Sequence, residues 1–433
     1  MTIILSGNAI RGGEMGYLEL EDIGEENTML KEQVHEFAEE VMRPASVKLD
    51  KMPAAEVTEK RSPYWDVFRQ MKKMGFHKIW VIREYGGLEF TPEQIHIVYE
   101  ELGWGSVAFA TAIGVDCMIP SLVSLLGSPE AVEEILIPWM KDEEGKYHGC
   151  WAVTEPEHGS DWLLASSYPI PREFGKGQVT AVKDGDDWVI NGAKSSWISS
   201  APLATHALVH VAFAERDFSM AEAGVALVSL DLPGVTKGPP IEKHGLRDDP
   251  QGELIFDNVR IPEKYIVILS PDFYSFFMNQ LVSVTSCFMA AAFTGLARAA
   301  FEEAYKYARE RIQGGKPLIQ HEAIKLKLYG MFEKVETSRA YSRKVIKHVW
   351  ERMIKEQTYD ASAPHAFTAQ IYGKRVAFEV AHEALQIFGG YGLTKDFLIE
   401  KLYRDARAGL IEDGTLDTLS LSAVYELDKS YQL

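Results

Sequence analysis

The chain has 433 residues, 46% hydrophobic and 25% charged, an ordinary globular composition with apolar material for two or three domains. Its 63 acidic against 45 basic side chains leave a formal charge of -18 at pH 7, which argues against a nucleic-acid partner, since no basic cluster could neutralise phosphates. Cys117, Cys150 and Cys287 are odd in number and widely spaced, so they read as neither a disulfide framework nor a metal site, and a reducing, cytoplasmic setting fits them best. The N-terminal MTIILSGNAIRGGEMGYLEL has a short apolar run without a charged flank, unlike a signal peptide, and no run of 18 apolar residues offers a membrane span.

From Glu25 the apolar residues Leu30, Val34, Phe37, Ala38 and Val41 recur at helical spacing, and Pro44 is expected to end that helix. Further helices are expected near 64–74, 92–103, 106–126 and 129–143, with Gly103-Trp104-Gly105 separating the middle two. Around Gly149 the period changes from 3.6 to 2. Gln178–Val182 and Trp188–Ile190 flank Asp184-Gly185, and Asn191-Gly192 reads as a second hairpin turn. His206–Ala214, Val225–Leu230 and Glu253–Phe256 continue the strand pattern to Pro262. Helices return over Leu281–Arg311, Ile319–Glu356, Ala363–Phe388, Asp396–Arg407 and Leu416–Leu427, as in a helical bundle. The expected domains are therefore 20–148 (helical), 149–265 (β-barrel or sandwich) and 266–433 (four-helix bundle), an α+β multidomain protein. The acidic runs Asp142-Glu143-Glu144 and Asp248-Asp249 read as solvated loops, and His158 as a structural turn residue.

Two stretches carry the functional signal. Gln386–Thr415 joins a helix end, Gly389-Gly390-Tyr391-Gly392, to a charged helix and then to Glu412-Asp413-Gly414-Thr415, two carboxylates beside a glycine turn. Far upstream lies Trp151-Ala-Val-Thr-Glu-Pro-Glu-His-Gly-Ser-Asp161. In order and separation the pair resembles the two signatures of the flavin-dependent acyl-CoA dehydrogenases, over roughly residues 20 to 430. The resemblance implies an FAD enzyme that takes a proton and a hydride from adjacent carbons of an acyl-CoA. It also implies a homotetramer that passes electrons to an electron-transfer flavoprotein.

By position, the resemblance makes Val153, Thr154, Trp197 and Ser199 flavin contacts, with Ser160 at the pyrophosphate or CoA end. Arg311, Gln313, Gln386, Gly389 and Gly390 would reach the FAD of a neighbouring subunit, and Thr415 would bond the cofactor beside the base. Gly314 stands where an aromatic residue is usual, and Asp417 where glutamine is. Thr111, Ser160, Thr285, Glu412 and Gly414 would touch the substrate.

The base position holds Asp413 in place of the usual glutamate, shorter by roughly 1.3–1.5 Å of reach. A misplacement of about 1 Å costs on the order of a hundredfold in rate, so an aspartate implies a substrate seated differently or a shared task. The alternative family position for the base is Thr285, which closes that route, and Glu412, if helical, would point about 100° away. Asp116, in an apolar helix near the acyl pocket, is the second candidate base, against a reading as a partnered core carboxylate. Relatives acting on cyclic thioesters such as cyclohexanecarboxyl-CoA also use aspartate, so a cyclic acyl group is weighed against branched, aromatic or linear ones. An acyl-CoA oxidase and a non-dehydrogenating acyl-CoA-binding protein are the rival readings. The connection 166–178, with Arg172 and Lys176, is a candidate cover for the pocket mouth or CoA contact.

Overall fold

The computed structural model describes residues 20–164, 175–355 and 362–430; Arg172 and most of the 166–178 connection lie outside them. The first helix, Gly24–Phe37, does not stop at Pro44. A π-helical turn, Ala38–Met42, leads directly into Arg43–Asp50, with Pro44 in the first turn of that segment. A wider turn just before the ring leaves room for it and absorbs the missing N–H, so the proline is tolerated.

The long helix Pro92–Leu126 begins at a capping box made by Thr91 and Gln94. Its break falls at Ser106 (φ -163°, ψ 115°), just past the glycines expected to divide it. Those glycines serve packing instead. A Cβ on Gly103 would sit 2.0 Å from the Ala292 carbonyl oxygen, and one on Gly295 would sit 2.0 Å from that of Glu100. This helix and Pro271–Glu310 thus cross with their backbones in contact. A buried ion pair clamps the crossing, Arg298 donating to Glu101 Oε1 at 2.7 Å, and Arg339 of the Glu322–Val349 helix holds the neighbouring Glu100 Oε1 at 2.9 Å. Both helices are long and apolar enough to cross a bilayer, but 72% and 78% of their most apolar windows are buried inside the protein.

The middle block is a mixed sheet of β1 (Gly149–Ala152), β2 (Thr180–Asp184), β3 (Asp187–Ser199), β4 (His206–Phe213), β5 (Gly224–Ser229), β6 (Val235–Lys237), β7 (Gln251–Pro262) and β8 (Ile266–Ile268). The strand order is β6-β7-β3-β2-β4-β5-β8, with β1 parallel to β4. The sheet thus runs on through Ile268, past the boundary expected at 265. Asp184 pairs with Asp187 across the Gly185 turn, but Asn191-Gly192 is not a turn. It is a bulge inside β3, where Gly192 takes φ 124° and a Cβ would meet the Gln178 carbonyl at 2.3 Å. The bulge lets one 13-residue strand bend while still pairing with β7.

In the C-terminal block the Ser362–Phe388 helix packs against Pro271–Glu310, Glu322–Val349 and Leu416–Ser430, with Leu398–Gly409 alongside. Buried carboxylates rivet the blocks together, and two of the acids expected to be solvated, Asp248 and Asp142, are among the buried ones. Asp248 is fully buried and accepts from Ser46 Oγ (2.6 Å), Ser106 Oγ (2.5 Å) and Lys401 Nζ (3.0 Å). Asp50 takes both Nη atoms of Arg404, at 2.8 and 2.6 Å. Asp142 is buried too and accepts from the Tyr147 amide at 2.9 Å. Short polar side chains in a turn looked hydrophilic; their burial is compensated because each found hydrogen-bond partners, charged or hydroxyl groups for Asp248 and backbone amides for Asp142.

Candidate active site

A cavity of about 1030 Å³ opens where the three blocks meet. One wall is the segment after β1, and it is held rigidly. Glu155 is fully enclosed; it accepts from Lys194 Nζ at 2.7 Å and from the amides of Gln178 (2.6 Å) and Val179 (2.9 Å). Lys194 also bonds the Val153 carbonyl, and Thr154 shares a 2.6 Å hydrogen bond with Ser195. Burial outweighs the Glu155 charge and lowers the Lys194 ammonium to about 8. His158, in the turn, bonds Asp161 and the Lys176 carbonyl, which ties down the described end of the long connection. The Lys176 ammonium is taken by Asp217.

The facing wall comes from the bulged strand and the loop before β7. Trp197 lines this space and is 62% exposed. Ser199 lines the cavity, but its hydroxyl proton goes to Asp249 Oδ2 at 2.7 Å while it accepts from Gln251 Nε2 at 3.1 Å. Ser199 therefore offers the cavity lone pairs and no donor. Asp249, buried behind it, is pushed up to about 6 by burial against the pull of Lys243. Lys243 donates to Gln251 Oε1 at 2.8 Å and lines the cavity itself.

The third wall carries the carboxylates. The Leu398–Gly409 helix ends before them, and Asp413 sits in the left-handed region (φ 52°) followed by Gly414 (φ 89°). Asparagine, aspartate and glycine tolerate that conformation best, so an Asp-Gly pair suits it. The turn removes the helical geometry that would have aimed Glu412 away: Glu412, Asp413 and Gly414 all line the cavity. Lys374 supports the turn from behind, donating to the Glu412 carbonyl at 2.5 Å, while Gln370 donates to the Asp413 carbonyl at 3.3 Å. Burial raises both carboxyls. Glu412 reaches about 8, with the adjacent Asp413 charge adding to the rise; Asp413 is raised against the attraction of Lys374.

Ser160 and Thr285 also line this space. Ser160 Oγ accepts from the Thr415 amide at 3.2 Å, joining the upstream motif to the downstream one. Thr415 is not among the lining residues; its hydroxyl donates to Thr418 Oγ1 and caps the last helix. Two expectations fail. Asp116 is fully enclosed, paired with Lys72 Nζ at 2.6 Å and accepting from the Gly149 amide at 2.9 Å, so its carboxylate is spent inside the core while neighbouring Val115 faces the cavity. Thr111 is buried and returns its hydroxyl to the Val107 carbonyl at 2.9 Å, away from the lining residues.

Arg311, Gln313, Gln386, Gly389 and Gly390 are brought together elsewhere, on an exposed face. There Arg311 stacks over Tyr391 at 5.4 Å, beside the two-stranded hairpin β9 (Ile312–Gln313) and β10 (Lys316–Pro317). Lys243, Asp249, Glu155, Lys374 and Arg407 were not expected from the sequence to belong to the site. The apolar setting of Lys374 in Ile371-Tyr-Gly-Lys-Arg-Val376 was the one available signal.

Sequence models of three domains match the chain in order: "Acyl-CoA dehydrogenase, N-terminal domain" over residues 24–143, "middle domain" over 150–259 and "C-terminal domain" over 277–423. The chain belongs to the acyl-CoA dehydrogenase family. This acyl-CoA dehydrogenase is 29% identical to a 3-(aryl)acrylate reductase of Clostridium sporogenes, over 90% of this chain and 95% of the other. It is 28% identical to the mitochondrial short-chain specific acyl-CoA dehydrogenase of Bos taurus, over 95% and 92%. Its fold matches butyryl-CoA dehydrogenase from Megasphaera elsdenii with a TM-score of 0.79 at 22% identity, covering 93% and 98%.

Members of the family depend on FAD, and so does this enzyme. The residues present fit that group: an indole face left open to the cavity, a fixed Val153–Thr154 backbone beside it and hydroxyls at Thr154, Ser195 and Ser160. Among the described residues no cluster of His, Cys, Asp and Glu could hold a metal ion.

Proposed function

We propose that this acyl-CoA dehydrogenase oxidises a CoA thioester with a cyclic or otherwise non-linear acyl group, with Asp413 as the base. What supports this reading is that Asp413, in a left-handed turn, lines the same cavity as Trp197 and Thr154. A carboxylate there removes the proton next to the thioester carbonyl, and its burial raises its pKa and so its strength toward a weak carbon acid. When bound, FAD supplies the acceptor for the hydride. Val153, Thr154, Ser160, Trp197 and Ser199 hold the cofactor on the cavity side. Thr415 acts through its amide on Ser160 rather than by direct contact.

The shorter aspartate supports a non-linear acyl group, because a ring or branch brings its acidic C–H to a place that a straight chain does not reach. Arg311, Gln313, Gln386, Gly389 and Gly390 serve the cofactor of a neighbouring subunit. The exposed Ile312 (63%), Tyr329 (65%) and Leu393 (74%) support a covered face and hence an oligomer, taken as the homotetramer of the family. Electrons leave to an electron-transfer flavoprotein in the cytoplasm. Anaerobic addition of cyclic, aromatic and linear acyl-CoAs to the yellow holoenzyme tests the reading: cyclic or branched thioesters should bleach the flavin fastest. Fastest bleaching by linear thioesters would remove the non-linear substrate. The relative named for arylacrylate reduction favours one further experiment, in which reduced enzyme is offered the corresponding enoyl-CoA and reoxidation is followed.

A further inference from the structure

Resting on that reading, we propose that the acyl end of the cavity selects a hydroxyl-bearing acyl group, held between Glu412 and Lys243. A pocket for a pure hydrocarbon should be lined by apolar side chains, and Val115, Leu163, Val282 and Ile411 supply part of such a lining. Glu412 and Lys243 break it, and neither is used up by the protein. Glu412 has an enclosed carboxyl oxygen, Oε1, without a hydrogen-bond partner, and the residue lines the cavity. Lys243 spends one of its three N–H donors on Gln251 and lines the same cavity as Glu412, whose carboxyl its charge pulls down against burial.

Leaving such groups unmatched beside a bound hydrocarbon is unfavourable, since a buried donor or acceptor without a partner loses its hydration and gains nothing. Ligand chemistry follows from their protonation. Burial and the Asp413 charge keep Glu412 a neutral acid below about pH 8, so it offers both a donor and an acceptor. Lys243 offers donors only. A hydroxyl satisfies both at once, giving its proton to Glu412 and accepting from Lys243. A carboxylate on the acyl group would face the Asp413 and Asp249 charges that gather at the same place. The nearby Lys374 is already committed to the Glu412 carbonyl.

The test uses FAD-loaded full-length enzyme with cyclohexanecarboxyl-CoA, its 3- and 4-hydroxy derivatives and a carboxylated counterpart. Flavin bleaching gives kcat/KM, and isothermal titration gives the affinity of each thioester. At least one hydroxylated probe should exceed the hydrocarbon by tenfold or more, as expected on the order of a missing partner for a buried polar group. Glu412→Leu should abolish or invert that ratio, Glu412→Gln should keep most of it, and Lys243→Met should reduce it if the leucine variant fails to fold. A hydrocarbon or carboxylated probe preferred over every hydroxylated one overturns the proposal, as does a preference that survives both Glu412→Leu and Lys243→Met. Titration separates this from failure of the dehydrogenase reading: hydroxyl-selective binding without bleaching supports the present proposal and counts against the base.

Discussion

Asp116 and Lys72 give a sharp separation between a structural carboxylate and a catalytic one. Both side chains are fully enclosed, the pair closes at 2.6 Å, and the second Asp116 oxygen holds the Gly149 amide at the start of β1. Replacing either partner leaves a buried charge alone, a loss of about 3–5 kcal/mol. Burial already lifts Asp116 above the usual carboxylate value against the pull of Lys72, so its stabilising contribution is greatest below the unfolded value and fades as pH rises through the folded one. In Lys72→Met the opposing pull is gone and the carboxyl rises further, so the destabilisation should grow as pH rises, by about 1.4 kcal/mol for each unit of added shift. Denaturant midpoints of the holoenzyme at pH 5, 7 and 8.5 measure that trend. Flavin reduction by Asp116→Asn should survive wherever the protein is folded. A loss of a hundredfold or more in the rate of folded Asp116→Asn, the size expected for a missing base, would refute the structural role.

Three other outcomes are expected. The rate of flavin reduction should fall as pH drops through the Asp413 value, which burial raises, because the base must be ionised; a further change near pH 8 should vanish in Glu412→Gln, as stopped-flow profiles would show. Gly295→Val should fail to yield folded protein, because a Cβ there lies 2.0 Å from the Glu100 carbonyl and neither helix can retreat without breaking the Arg298 and Arg339 clamps; normal circular dichroism and yield would contradict this. Arg311→Glu should weaken FAD retention and the assembled state together, measured by flavin content and sedimentation, since that arginine lies on the exposed face with Tyr391.

What the sequence made legible was what repeats or is chemically marked. Helical and strand periods divided the chain into its three blocks, and the two signatures do converge, with Ser160 bonding the Thr415 amide across 255 positions. Punctuation was less reliable. Pro44 and Asn191-Gly192 looked like stops, but a π turn and a bulge absorbed them, and both compensations depend on the neighbouring chain rather than on local residues. Gly103 looked like a separator and is a contact point, because its requirement comes from Ala292, distant in sequence. The charged loops were misread for the same reason: Asp248 and Asp249 are buried by partners at Ser46, Ser106, Ser199 and Lys401 that no local pattern announces. Glu412 was set aside as the base on helical geometry that the left-handed Asp413 cancels.

The central claim is that the Asp413 carboxylate takes the proton while a flavin occupies the cavity before it. Single-turnover reduction of Asp413→Asn holoenzyme by the best bleaching thioester tests it most directly. Yellow colour and thioester binding should be retained, with the reduction rate lower by at least about a hundredfold, the worth of a positioned base. Reduction at the wild-type rate would contradict it.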